Sequence, residues 1–348
     1  MHIRFTNVLH VLTVNVYWLL LQQSSNKKYT TAAFSRPQQP SLSQVYRDIA
    51  HCSNQITNDW PHSQDFCRDY LIYNVTHQYY QLPTFPDGNG PLGVFGMLYQ
   101  NEKTKAIMNE CHGLFEQFCK DVQSTILKDD AQMQDDFMDH WVLNTPPESD
   151  HISVAILQEH PTFLKDPIER EQWKPIPSHK IQKLAKEYSR KHAGIPSPNL
   201  ELDALLWTPD GAMIAGFIET SDDGYSSFEE LRIVSKTTAL EVLGSSTLSA
   251  TRPKKLIHAT VGRVLGLPPT TTSKVHSVKE GRRRQKQELS ALAQTYNTLV
   301  LPDTVSKIRR ESDGIFELQQ LSLLRNQRWM LFEYKEYGSW NTGQVLES

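Results

Sequence analysis

Several features are scarce in this chain of 348 residues, and each absence removes a class of protein. Only four cysteines are present and none forms a CxxC pair, which excludes a disulfide-dense mini-scaffold and a zinc ribbon. The formal net charge of -3 removes the simple case for a histone-like nucleic-acid coat. No uninterrupted apolar run reaches spanning length, because Phe5 to Leu21 is broken by Thr6, Asn7, His10, Thr13 and Asn15. Neither GxGxxG nor GxxxxGK[ST] follows a strand pattern, so dinucleotide-binding and P-loop folds lose their main support. No internal repeat stands out. What remains is an ordinary globular composition.

The first 43 residues are set apart from the rest. No acidic residue precedes Asp48. Arg4, the broken apolar run and the small residues Thr31-Ala32-Ala33 read as a secretory signal peptide. An acid-free, Ser/Thr-rich start equally suits a plastid or mitochondrial presequence, and without targeting the chain is cytoplasmic. Pro37, Pro40 and the Ser/Gln-rich stretch to Ser43 read as a linker. Cys52, Cys67, Cys111 and Cys119 fit either two disulfides or four buried thiols. Asn74-Val75-Thr76 is a glycosylation sequon with meaning only in a secreted protein.

Periodicity organises the remainder. Residues 44–91 form an extension that starts helical and ends in the turn Pro86-Asp87-Gly88-Asn89-Gly90. Leu92 to Tyr99 reads as a strand and Glu102 to Leu127 as a helix, with apolar residues at helical spacing. His151 to Leu157 is a second strand and Lys180 to His192 a basic helix. Leu200–Trp207 and Ala212–Glu219 flank Thr208-Pro209-Asp210-Gly211, the chemistry of a hairpin turn. Ser227-Phe-Glu-Glu230 has the form of a capping box for a helix ending at Gly244. Leu256 to Leu265 is a strand and Ser277 to Leu299 a charged helix; Ile315–Leu324 and Arg328–Tyr334 form a closing strand pair. The order β-α-β-α-β-β-α-β-α-β-β, with tight hairpins, predicts an α+β fold with antiparallel pairing.

Two of these strands repeat one polar pattern, His151-Ile152-Ser153-Val154 and His258-Ala259-Thr260-Val261. Residues i and i+2 of a strand share a face, so His151 lies beside Ser153 and His258 beside Thr260. Ile152, Val154 and Ile156, like Ile257, Ala259 and Val261, then point to the core. Two imidazoles and two hydroxyls suit displacement at phosphorus. One neutral imidazole takes a proton from water while the other, protonated, gives one to the leaving oxygen. The hydroxyls hold the non-bridging oxygens. Neither motif supplies the carboxylate or His/Cys set that a metal needs, so no metal and no cofactor are expected.

With these motifs the chain resembles the two-histidine (2H) phosphoesterases, which include RNA 2′,3′-cyclic phosphodiesterases and 2′-5′ RNA ligase-like proteins. The likeness extends to Trp207-Thr-Pro-Asp-Gly211, Leu231-Arg232 and Leu256-Ile-His-Ala-Thr-Val-Gly-Arg263, and spans residues 92–336. Ser153 stands where the family more often has Thr, and residues 44–91 have no counterpart. The resemblance implies a bilobed α+β fold, two mainly antiparallel sheets with flanking helices around a central cleft. It implies His151 and His258 as the acid/base pair, Ser153 and Thr260 as phosphate-binding hydroxyls, and hydrolysis of a 2′,3′-cyclic phosphate on a nucleotide or RNA end. The expected protein is a monomer with no membrane span in its mature chain, divided into a targeting segment and linker (1–43), an extension (44–91), the phosphoesterase-like domain (92–336) and a tail (337–348). The rival reading is a non-catalytic binder of RNA ends or nucleotides on the same fold.

Other residues are read more plainly. Arg263 could hold a phosphate only if a bulge at Gly262 turned it inward; strict alternation places it on the face opposite His258 and Thr260, so it reads as a solvated strand-end arginine. Arg282-Arg283-Arg284 with Lys286 reads as a solvated helix face. Trp207 and Phe217 are core residues, His160 lies beyond the strand end, and Tyr79, Tyr80 and Phe85 pack together.

Overall fold

The computed structural model describes residues 41–55, 60–76, 79–85, 88–164, 166–220, 226–245, 248, 256–269, 275–331 and 333–343; of residues 51–55, 275–279 and 329 it describes the backbone alone. The targeting segment expected over residues 1–43 lies outside them up to Pro40, as do Pro86 and Asp87 of the turn, the side chain of Cys52, and the tail from residue 344.

Eleven strands and nine α-helices follow along the described chain. The order is α1 (Leu42–Gln55), α2 (Gln64–Tyr70), β1 (Ile72–Asn74), β2 (Tyr79–Gln81), β3 (Leu92–Met97), α3 (Glu102–Asp121), α4 (Ala131–His140), β4 (Val142–Asn144) and β5 (His151–Gln158). Then come α5 (Pro167–Gln172), α6 (Ser178–His192), β6 (Asn199–Trp207), β7 (Ala212–Glu219), α7 (Ser227–Leu243) and β8 (Ile257–Val264). The chain closes with α8 (Val275–Thr295), α9 (Leu301–Ser312), β9 (Ile315–Glu317), β10 (Gln320–Arg328) and β11 (Glu333–Asn341).

The fold is mixed α+β and its sheets are antiparallel. One sheet has the order β11-β10-β3-β5 and a second the order β4-β8-β7-β6-β9; β1 and β2 form a separate hairpin. A continuous apolar core backs both sheets. Ile152 and Val154 of β5 join it from one sheet, Ala259 and Val261 of β8 from the other, and Phe115 and Phe118 of α3 fill it. Gly262 lets α3 approach, since a Cβ there would lie 2.5 Å from the Phe115 ring.

Side-chain caps begin several of the helices. The Asn101 side chain caps α3 by accepting from the Lys103 N–H at 2.8 Å. The cap of α7 is Ser226, which accepts from the Glu229 N–H at 3.1 Å, so the capping pair sits one residue earlier than the expected Ser227–Glu230. The closing strand pair is also redistributed. Ile315–Glu317 pairs with β6 in the second sheet, and the hairpin of the first sheet is β10 with β11. Their turn passes through Met330 and Leu331 at φ 62° and 60°, without the glycine or asparagine that usually marks such a turn.

Cys67, Cys111 and Cys119 are buried free thiols. Two disulfides are therefore not formed among the described cysteines, and burial pushes the Cys119 thiol up to about 12.

Candidate functional site

The two motif strands lie against one another, β5 as the edge of the four-stranded sheet and β8 inside the second. β4 pairs with Gly262–Val264, the end of β8 remote from His258. In β5, His151 and Ser153 are half-buried between buried Ile152 and Val154. In β8, His258 and Thr260 are half-buried between buried Ile257, Ala259 and Val261. Each strand thus presents an imidazole and a hydroxyl on the face away from the common core. Ile156 departs from the expected alternation: a bulge in the β3–β5 ladder leaves it half-buried, packed with Phe95, Met97 and Leu324.

The start of β5 is held firmly. His151 Nδ1 lies 2.7 Å from the Ser149 carbonyl oxygen, which can only accept, so this nitrogen is the donor. The neutral ring then keeps its lone pair on Nε2. The edge of the Phe95 ring system meets the imidazole at 5.0 Å and 90°. Directly before it, Asp150 is buried and joined to His112 Nε2 at 2.8 Å, while its backbone oxygen accepts from Leu98 N–H at 2.9 Å. Burial raises the Asp150 pKa, and the His112 hydrogen bond only partly offsets this.

The start of β8 is held from two other elements. The Ile257 carbonyl accepts from the Tyr46 hydroxyl at 2.6 Å, and the Leu256 carbonyl accepts from Arg232 Nη2 at 2.7 Å. Arg232 is buried, lies over the Phe228 ring at 4.6 Å and pairs with Glu229 at 3.6 Å. Desolvation lowers its pKa.

Arg263 corrects the sequence reading. A bulge at Val261, where Thr260 pairs with Ile214 and Gly262 with Met213, inverts the alternation one residue earlier than the glycine. Gly262 consequently faces Phe115, and Arg263 turns to the face that carries His258 and Thr260. It is buried there, salt-bridged to Asp210 at 2.8 Å, with its guanidinium 3.6 Å from the centre of the Phe66 ring. Burial works against the Asp210 carboxylate, but Arg263 and the Thr208 hydroxyl outweigh it and hold its pKa below the usual carboxylate range. Strand alternation alone could not find this; a bulge depends on the partner strand.

The remaining candidates fall outside the site. Trp207 and Phe217 are fully buried core residues. His160 follows β5 and bonds to Thr162 Oγ1 at 2.7 Å, and burial lowers its pKa. Tyr79 stacks on His140, Tyr80 meets Trp141 edge-on, and Phe85 packs on His160, so these aromatics serve packing. Arg283 and Arg284 are exposed on α8, and Arg284 pairs with Glu288 at 2.8 Å. Among the described residues no three His, Cys, Asp or Glu side chains gather as a metal-ion site, and no helix is long and apolar enough to cross a membrane.

No family model matches the chain, and no curated protein matches it either. Among solved structures it is similar to TT0787 of Thermus thermophilus, with 12% identity over 73% of this chain and 98% of that one, at a TM-score of 0.38. It is also similar to the conserved protein of unknown function ATU0111 from Agrobacterium tumefaciens str. C58, with 12% identity over 79% of this chain and 97% of that one, at a TM-score of 0.37.

Proposed function

We propose that the protein is a two-histidine phosphoesterase with a bilobed fold, each sheet supplying one motif strand to a cleft, and that it hydrolyses a 2′,3′-cyclic phosphate on a nucleotide or RNA end. The observation that carries this reading is the pair of strands in contact, β5 and β8, each with a half-buried imidazole and hydroxyl side by side on the face away from the core. Chance can place one His-x-hydroxyl in a strand. Two on touching strands supply the proton acceptor, the proton donor and the hydroxyls that acid/base displacement at phosphorus can use.

In the reaction, one imidazole removes a proton from water as its oxygen bonds to phosphorus. The other, protonated, passes its proton to the 2′ or 3′ oxygen as the ring P–O bond breaks, leaving a monoester. His151 works through Nε2, because its Nδ1 is committed to Ser149. The Ser153 and Thr260 hydroxyls donate to the non-bridging oxygens, where charge grows in the transition state. The scheme asks the protein to supply two proton-transfer groups, each worth about 10²–10⁴-fold.

The test is hydrolysis of cytidine 2′,3′-cyclic monophosphate with a chelator present, followed by phosphorus NMR. Conversion to a single monoester supports the reading. Micromolar binding of the intact cyclic nucleotide without conversion supports the non-catalytic binder instead.

A further inference from the structure

Helix α1 takes no part in this chemistry, yet it lies on the face of the second sheet that carries His258 and Thr260. Cross-strand partners share a face, and the ladder places Gly216 opposite His258 and Ile214 opposite Thr260. Leu206 and Ile214 on that face are buried under Tyr46, with Leu42 and Ile49 of α1 packed around them. The Tyr46 ring stands on Gly216, where a Cβ would lie 2.7 Å from the ring. Opposed residues hold their Cβ atoms about 4.5–5.5 Å apart, so the ring fills the slot next to the His258 imidazole. The hydroxyl, 2.6 Å from the Ile257 oxygen and 3.1 Å from that of Phe217, ties the ring to both strands.

The other bank is also apolar. Phe95, Met97, Leu324 and Leu331 are buried on the motif face of the first sheet. The motif face of each sheet thus carries an apolar cluster beside its imidazole and hydroxyl. Arg232 and Arg263 are held by protein partners, and a polynucleotide backbone is gripped chiefly by cations. The exposed arginines of α8 belong to a helix that packs on residues 122–126 at the end of α3.

We propose that α1 is the specificity wall of this site: Tyr46, seated on Gly216 beside His258, closes the cleft over β6 and β7, so that the site takes a nucleoside cyclic monophosphate in preference to the same group on a longer chain. The substrate side of this inference rests on the phosphodiesterase reading; the placement of the wall does not.

The experiment compares the full-length wild type with Tyr46→Leu, Tyr46→Ala and Tyr46→Phe. Each is assayed on cytidine 2′,3′-cyclic monophosphate and on a tetranucleotide ending in a 2′,3′-cyclic phosphate. In parallel, diethyl pyrocarbonate modification of His258 and His151 is timed by mass spectrometry. Tyr46→Leu keeps an apolar side chain on α1 but removes the ring that stands on Gly216, so the result does not depend on the alanine variant folding. The wild type is expected to prefer the mononucleotide in kcat/KM by about tenfold or more, and the Leu and Ala variants to lose that preference, within the range one apolar contact supplies. Tyr46→Phe keeps the ring and keeps the preference. His258 modification rises about tenfold in the Leu variant while His151 is unchanged, as expected for a cover removed from one histidine. An unchanged substrate ratio in the Leu variant, or an unchanged His258 rate, overturns the proposal. If the wild type hydrolyses neither substrate, the phosphodiesterase reading fails; the His258 rate then decides the wall alone, a rise supporting it and no rise overturning it.

Discussion

His151 Nδ1 lies 2.7 Å from the carbonyl oxygen of Ser149, two residues earlier in the chain. That bond orients the imidazole and leaves Nε2 as the acceptor of the neutral ring, and an oriented ring is what the proposed proton transfer requires. The start of β8 receives comparable support from Tyr46 and Arg232 through the carbonyls of Ile257 and Leu256. The start of β5 is thus held by a local bond and that of β8 by groups from elsewhere in the chain.

The hydroxyls give the first prediction. Ser153→Ala and Thr260→Ala each lower kcat on a cyclic nucleotide by about 10²–10³, the cost of losing one donor to developing charge. Thr260→Ser retains the donor and most of the activity. Steady-state kinetics on folded variants checks both, and an alanine variant within a factor of about three of wild type removes that hydroxyl from the proposed mechanism.

His192 makes stability depend on pH. It is fully buried, accepts from Trp340 Nε1–H at 2.8 Å through Nδ1, and stacks on Tyr188 at 5.0 Å. Burial lowers its pKa to about 4. The unfolded chain, with an ordinary histidine value, binds the proton more readily, so stability falls as pH drops from about 6.5 toward 4. The loss across that window is about 3 kcal/mol. Urea unfolding at pH 7 and pH 4.5 measures it, and His192→Phe should flatten this part of the profile.

Gly262→Ala tests the close approach of α3 to β8. The added Cβ would lie 2.5 Å from the Phe115 ring, inside the core, so one of the two elements must move. Overpacking of this kind costs about 1–3 kcal/mol. Because Gly262 follows Thr260 by two residues, turnover should fall with stability. A melting temperature within a degree of wild type contradicts the packing described.

Much of this architecture could be read beforehand, and the reasons for the gaps are physical. Residues 151–154 and 257–261 alternate cleanly because one face of each strand is buried, so the motif pairing was legible. So was the β6–β7 hairpin, from the Pro-Asp-Gly turn at its tip. Three features were not. The bulge that turns Arg263 arises from pairing with Met213 and Ile214, which lie far away in sequence. Helix α9 begins at Leu301-Pro302, and proline in a first turn looks like a break until the helix beyond it is seen. The amphipathic pattern of α1 shows that one face is buried but not what buries it, so Tyr46 gave no functional signal.

The proposed pairing of His151 with His258 is tested most directly by turnover of cytidine 2′,3′-cyclic monophosphate, with chelator present, in wild type, His151→Ala, His258→Ala and the double variant. Each single change should lower kcat by about 10²–10⁴, and the double variant should be little worse than the weaker single one, because the two groups act as a unit. A folded single variant that keeps more than about a tenth of wild-type turnover contradicts the account.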